Sequence, residues 1–237
     1  MSLSDPVNVR RQYADEGNLS TRARVWQPAA DGREPGDLAL SIVGRARRDP
    51  GRREILEVGC GTGAFAARLA EMPDTRVFAV DQSERFVRLT RDRGVEAHVA
   101  DVQHLPFADS SFDTVAALWM LYHVADLHRA LGEIRRVLRP GGTFVAVTNG
   151  DEHVADLRRD AGGAPVVTRF SSENGESSLR QHFDGVRRED VATRAVFPDH
   201  AAAVAYLESS LEGIDWRLPA FDGPREYAGH VTVFVAS

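Results

Sequence analysis

From residue 53 onward the apolar positions fall into short runs separated by longer amphipathic intervals. Glu54–Val58, Arg76–Val80, Ala97–Ala100, Phe112–Leu118 and Thr143–Thr148 are the first five runs. Their near-continuous apolar character suits strands buried on both faces of a parallel sheet. The intervals read as helices with recognisable starts and stops. Ser83 can cap a helix running through Arg91, with Phe86 and Leu89 inward. Asp126 can cap another, whose Leu127, Leu131, Ile134 and Leu138 recur at spacings of 4, 3 and 4. Arg135, Arg136 and Arg139 fall in its last turns, where cations suit the helix dipole. Pro140-Gly141-Gly142 then stops it and turns the chain into the fifth strand. Strands alternating with helices predict an α/β fold with helices on both faces of the sheet.

Outside this stretch the pattern is weaker. Residues 1–40 read as one or two helices before the sheet, and 149–178 as a polar, glycine-containing loop or insertion. Val186–Phe197 and His230–Ala236 read as two further strands, with a helix near Ala201–Leu211. No repeat or low-complexity tract interrupts the chain. Its 237 residues fit a single domain, 1–237, of a size that buries roughly 70% or more of its unfolded surface. Within it, 1–40, 53–148, 149–190 and 186–236 are the natural subdivisions.

Composition removes several classes. With 43% hydrophobic and 27% charged residues the chain is ordinary globular material. No apolar run approaches the roughly 20 residues that span a bilayer. Met1–Pro6 lacks the regions of a signal peptide, so a cytoplasmic location with no membrane partner is expected. The one cysteine, Cys60, permits no internal disulfide and reads as a small filler. All 29 basic residues are arginine, which excludes lysine Schiff bases and the P-loop lysine. Residues 1–53 carry 10 Arg against 7 acids, net +3, and the remainder 19 Arg against 28, net −9. That asymmetry is read as solvated surface.

The candidate chemistry lies at the ends of the apolar runs. Ile55-Leu56-Glu57-Val58 leads into Gly59-Cys60-Gly61-Thr62-Gly63, a strand-to-loop junction that lets a ligand approach bare backbone before the next helix. Asp81 follows Gly63 by 18 residues, and Asp101 follows Asp81 by 20, each closing its own run. On these motifs residues 53–148 resemble the class I S-adenosylmethionine-dependent methyltransferases, of the small-molecule, type 11-like kind. The resemblance implies a Rossmann-like three-layer sandwich. Its sheet would have seven strands in the order 3-2-1-4-5-7-6, mostly parallel with the last antiparallel, and a helical lid over residues 1–40. It implies S-adenosyl-L-methionine as cofactor, held by the loop of Gly59, Gly61 and Gly63. Glu57 would order that loop or reach the cofactor amino group through water, and Asp81, with Gln82 beside it, would bind the ribose hydroxyls. Asp101 would accept from adenine N6, the Val102 amide would meet a ring nitrogen, and Leu118 would line the site. Tyr13 resembles the family's lid tyrosine, with Arg22, Arg24 and Trp26 able to close over an acceptor. His123 resembles the histidine after the fourth strand that faces the cofactor methionine or the acceptor, and is the candidate general base.

Methyl transfer from a sulfonium is an in-line displacement, so the protein has mainly to align the reactants and exclude water. Asn149, Asp151 and His153, then Phe170, Glu173 and Asn174, are polar-loop candidates for an acceptor pocket or for ordinary surface. Leu118-Trp119-Met120-Leu121 stands where amino methylases of DNA bases carry an Asn/Asp-Pro-Pro-aromatic motif. No basic tract with interleaved aromatics suggests a nucleic-acid partner. His123, Asp126 and His128 share a region without metal-ligand spacing, so no metal is expected. A small-molecule O or N acceptor remains, with a bacterial secondary metabolite as one possibility and a monomer or homodimer as the assembly. Two alternatives stay open: a catalytically inactive S-adenosylmethionine-binding domain acting as sensor or partner, and an NAD(P)-dependent oxidoreductase. Ala64 leaves the loop compatible with the latter, although Asp101 has no role there.

Overall fold

The computed structural model describes residues 17–46, 51–210 and 214–237. Each apolar run forms a strand because its side chains find cover on both faces. The elements are α1 (Gly17–Ala23), β1 (Trp26–Gln27), α2 (Pro35–Arg45), β2 (Arg53–Val58), α3 (Ala64–Ala70), β3 (Thr75–Asp81), α4 (Glu84–Asp92) and β4 (Glu96–Val99). They continue as β5 (Phe112–Leu118), α5 (Leu127–Val137), β6 (Leu138–Asn149), α6 (Ala155–Asp160), α7 (Gly175–Leu179), β7 (Val186–Phe197), α8 (His200–Glu208) and β8 (Arg225–Ala236). One sheet takes them in the order β1-β7-β8-β6-β5-β2-β3-β4. β4, β3, β2, β5 and β6 run parallel, while β8 is antiparallel to both β6 and β7.

Alternate residues of the central strands feed two cores. On one face Leu56, Val58, Val115 and Phe144 pack with Leu131, Ile134 and Val137 of α5 and with Leu179 of α7. On the other, Ile55, Val145, Val147 and Val233 meet Ala39 and Val43 of α2, Ala66 and Leu69 of α3 and Val87 of α4. Helices therefore cover both faces, as the alternation of runs requires. Burying each such Val, Leu or Ile contributes about 1.5–3 kcal/mol. Among the described residues no helix is long and apolar enough to cross a membrane.

The helix starts follow the sequence closely. Ser83 accepts the Phe86 N–H at 3.4 Å and Asp126 accepts the Arg129 N–H at 3.0 Å, each supplying an orphan donor of the first turn. In α4 the buried positions are Phe86, Val87 and Thr90, with Leu89 only half-buried.

Four expectations need correction. The sheet has eight strands, because Trp26–Gln27 adds an edge pair against Ala195 and Arg194 of β7. Two residues before Pro28 are too short to show a period, and proline suits an edge. α2 is no lid: it lies on the sheet, buried through Ala39 and Val43, and continues past residue 40 to Arg45. Pro140-Gly141-Gly142 does not terminate α5, which ends at Val137; the three residues lie within β6, where the β5–β6 register shifts between Phe112 and Thr114. β8 starts five residues before His230, its outer half paired to β7 alone.

At the amino end of the sheet, Asp113 ties three elements. Its Oδ2 accepts the Glu54 N–H at 2.8 Å and the Arg139 guanidinium at 2.5 Å. Asp113→Ala strips β2 of a charge-assisted bond and should lower unfolding free energy by about 1.5–3 kcal/mol. Urea denaturation checks this, with the midpoint falling at an unchanged slope.

Candidate active site

The sequence-predicted residues converge at the carboxyl ends of the parallel strands. β2 delivers Glu57 and Val58 to the sheet edge, where the Gly59 and Cys60 amides both donate to the Val80 carbonyl, at 2.8 and 3.1 Å. The loop thus stays attached to β3 as it leaves the sheet. Gly63 closes it with a left-handed backbone, φ 74°, and a Cβ there would meet the Thr90 Cα of α4 at 2.7 Å. Gly59 likewise faces Met120 of the segment after β5, at 2.7 Å from a Cβ position. Only hydrogen fits at either place. Gly61, between them, opens onto free space.

Asp81 ends β3 and is the hub of this edge. Its Oδ2 accepts the Gly61 N–H at 3.0 Å and its Oδ1 the Ser83 N–H at 2.9 Å. Burial raises its pKa, and the Ser83, Gly61 and Gln82 amides oppose the rise. Glu57 lies behind it, 3% exposed, with Oε2 lacking a partner. Burial lifts the Glu57 pKa to about 8, against the Ala66 amide and with help from the Asp81 charge. Cys60 is buried too, its thiol pushed up to about 12 by desolvation and by Glu57, so it is no nucleophile.

β4 carries the chain to Asp101 through the Ala100 amide, which donates to the Asp81 carbonyl at 3.1 Å. The Asp101 carboxylate accepts the Gln103 backbone and side-chain N–H groups at 2.9–3.0 Å. Val102 beside it is buried, and Gln82 is exposed. Leu118 ends β5 beside Val147. His123 lies five residues on, half-buried in a 3₁₀ turn with its ring 4.4 Å from that of Tyr122. Tyr13 lies outside the described residues.

A methyltransferase-domain family profile matches residues 56–146, the span from within β2 to within β6. The malonyl-[acyl-carrier protein] O-methyltransferase of Methylococcus capsulatus is 32% identical over 192 residues, 76% of this chain and 69% of its own. The chain belongs to the class I S-adenosylmethionine-dependent methyltransferases. The O-methyltransferase cnsE of Penicillium expansum is 36% identical over 57% of this chain, which spans half of that relative's length. A chain from the complex between the Haloferax volcanii Trm112 methyltransferase activator and a methyltransferase shares the fold: TM-score 0.61, 23% identity, 98% of each chain covered.

In this methyltransferase several neighbours of the glycine loop carried no sequence signal. Thr90 backs Gly63 and meets the Cys60 sulfur at 3.4 Å, although its position reads only as one turn of α4. Gln103 engages Asp101 and also accepts the Asp126 N–H at 2.9 Å, linking the β4 end to α5. Trp119 adopts φ 52°, a conformation costly for a bulky residue, and its indole N–H donates to Asn149 at 3.0 Å. Trp119 is unmarked beyond being aromatic.

The other acceptor-loop candidates separate. Asn149 joins the site edge through Trp119. Phe170 is core, packed 5.7 Å from Phe234, and Asn174 builds its own loop through the Ser171 N–H and the Thr168 carbonyl. His153 is buried and stacked 4.4 Å from Trp26, its pKa lowered to about 4 by desolvation, while its Nδ1 accepts the His230 N–H at 3.1 Å. It pins the segment after β6 to β8. Glu173 accepts the Asp151 N–H at 2.9 Å.

The two glycine substitutions should differ. Gly63→Ala adds an overlap with the Thr90 backbone to a left-handed cost of about 1–2 kcal/mol, giving a loss of roughly 3 kcal/mol or more. Gly61→Ala carries only the left-handed cost, because its Cβ would meet nothing within 4 Å. Thermal melts of the two variants check the order.

Proposed function

We propose that this chain transfers a methyl group from S-adenosyl-L-methionine to an oxygen of a small-molecule acceptor. The observation that carries the reading is Asp81, a carboxylate at the end of β3 held by the Gly61 and Ser83 amides. A carboxylate offers about four lone-pair sites, so beyond the amides that hold it Asp81 keeps acceptor capacity for a ribose hydroxyl. The donor set fits the cofactor in two further ways. Glu57 is a buried acid with an orphaned oxygen, suited to a cationic amino-acid portion. Gly61 presents backbone without side-chain cover, suited to close approach. Gly59, Gly61 and Gly63 would hold the methionine part with Glu57 and Leu118, Asp81 and Gln82 the ribose, and Asp101 with the Val102 amide the adenine. Tyr13 would close over this part as the lid of residues 1–40, with β1 and α2 excepted.

The cofactor supplies an electrophilic methyl on sulfur. The chain's own residues do the rest: they orient that methyl, exclude water and hold the acceptor in line. His123, in the turn after β5, would take the proton of the attacking hydroxyl. An oxygen acceptor is favoured over nitrogen because both relatives are O-methyltransferases.

Calorimetry with S-adenosylmethionine tests the reading. The wild type should bind in the micromolar range, and Asp81→Ala should lose at least tenfold in affinity, as removal of a charge-assisted contact of about 1.5–3 kcal/mol requires. Wild-type binding of NADH in place of S-adenosylmethionine would overturn it.

A further inference from the structure

We propose that cofactor binding expels a proton from Glu57, so that the empty site carries a neutral acid and the loaded site a carboxylate. This inference rests on the cofactor reading above. It starts from geometry. Glu57 occupies the last full turn of pleat in β2, paired with Ala79 of β3 and Ala116 of β5, neither of which offers a side-chain donor. The residue is 3% exposed, and among the described residues Oε2 has no hydrogen-bond partner. The titratable groups that couple to it are Asp81, at the end of the neighbouring strand, and Cys60, in the loop; the Ala66 amide of α3 is the opposing donor. Among the described residues no cation couples to it. A carboxylate so placed would be a buried, unpaired charge facing a second one, the costliest arrangement a protein interior offers. A neutral carboxyl avoids that cost, and its pKa of about 8 agrees.

S-adenosylmethionine brings positive charge to this edge, on sulfur and on its α-ammonium. Opposite charge within a few ångströms favours the ionised acid. The proton then leaves Glu57 for solvent as the cation enters, and charge balances within the site. An acid held near pKa 8 is about nine-tenths protonated at pH 7, so binding there should release close to one proton. Affinity should rise almost tenfold per pH unit at about pH 6.5–7 and only about fivefold between 7 and 8, where the cofactor's own α-ammonium begins to lose its proton. Linkage fixes the sign: the free protein binds more protons than the complex, so higher pH favours the complex. In the absence of ligand the same raised pKa acts oppositely on folding. The native state holds a proton that the unfolded chain releases above its ordinary value of 4.5, so this group's contribution to stability falls as pH rises towards 8.

The experiment is calorimetry of S-adenosylmethionine binding at pH 7 in phosphate and in Tris, whose ionisation enthalpies differ widely. A buffer-dependent enthalpy corresponding to release of about one proton is expected for the wild type. Glu57→Gln, isosteric with the neutral acid, should abolish both the buffer dependence and the rise of affinity with pH. Wild-type binding whose enthalpy ignores the buffer would overturn the inference while leaving the cofactor reading intact. A proton release that persists in Glu57→Gln would assign it to another group, Asp81 first, and would also overturn it. Absence of wild-type binding would instead sink the cofactor reading itself.

Discussion

The contact from the Gly61 amide to the Asp81 carboxylate organises the functional edge of this protein. It joins the ends of two adjacent parallel strands, β2 and β3, outside the sheet's own ladder. The loop can reach Asp81 only because Gly59 and Gly63 bring its two ends against Met120 and Thr90 with no side chain between. Asp81 in turn stays oriented because Ser83, the cap of α4, donates back to it. One carboxylate therefore sets the start of a helix, the path of a loop and the position of a candidate ribose ligand. Moving any of these would move the others.

The central fold was legible because its determinants are local and repeated. Runs of Val, Ile, Leu and Ala ending in Glu57, Asp81 or Asp101 state both a buried strand and the polar edge where it ends. The caps at Ser83 and Asp126 work through their own side chains, so a single residue type announces them. Strand order was different. It came from the family likeness, since spacing along the chain carries no record of which strand lies beside which. The short edge strand at Trp26–Gln27 escaped for a related reason: its partner lies some 170 residues away in β7 and two residues have no period.

The site divides along the same line. Glu57, Gly59, Gly61, Gly63, Asp81 and Asp101 come together because each ends a strand or fills the loop after one. The residues that complete the neighbourhood do so through tertiary packing. Thr90 is selected by its contact with Gly63, Gln103 by its reach to Asp101, and Trp119 by a backbone turn that no residue type signals. Phe170 and His153 look alike in sequence to acceptor-loop residues, yet burial makes one a core ring and the other a neutral pin between strands. Loop polarity alone does not distinguish those fates.

Several departures from ordinary packing economy meet at the carboxyl edge. Elsewhere buried polar groups such as Thr148 and Arg53 are satisfied, donating to the Phe170 and Val43 carbonyls at 2.8 and 3.0 Å, although the Thr114 and Thr193 hydroxyls have no partner among the described residues. At the edge a tryptophan turns left-handed, two close approaches require bare backbone, and a buried acid keeps an unpaired oxygen. Each of these lowers stability by itself, and a fold selected for stability alone would replace the acid with a hydrophobic side chain of similar volume. That these three meet at one edge, beside well-packed strands, is what a binding surface built on a rigid scaffold looks like. On the proposal above, Glu57 keeps its proton while this edge is empty and ionises only when a cation arrives to pair with it.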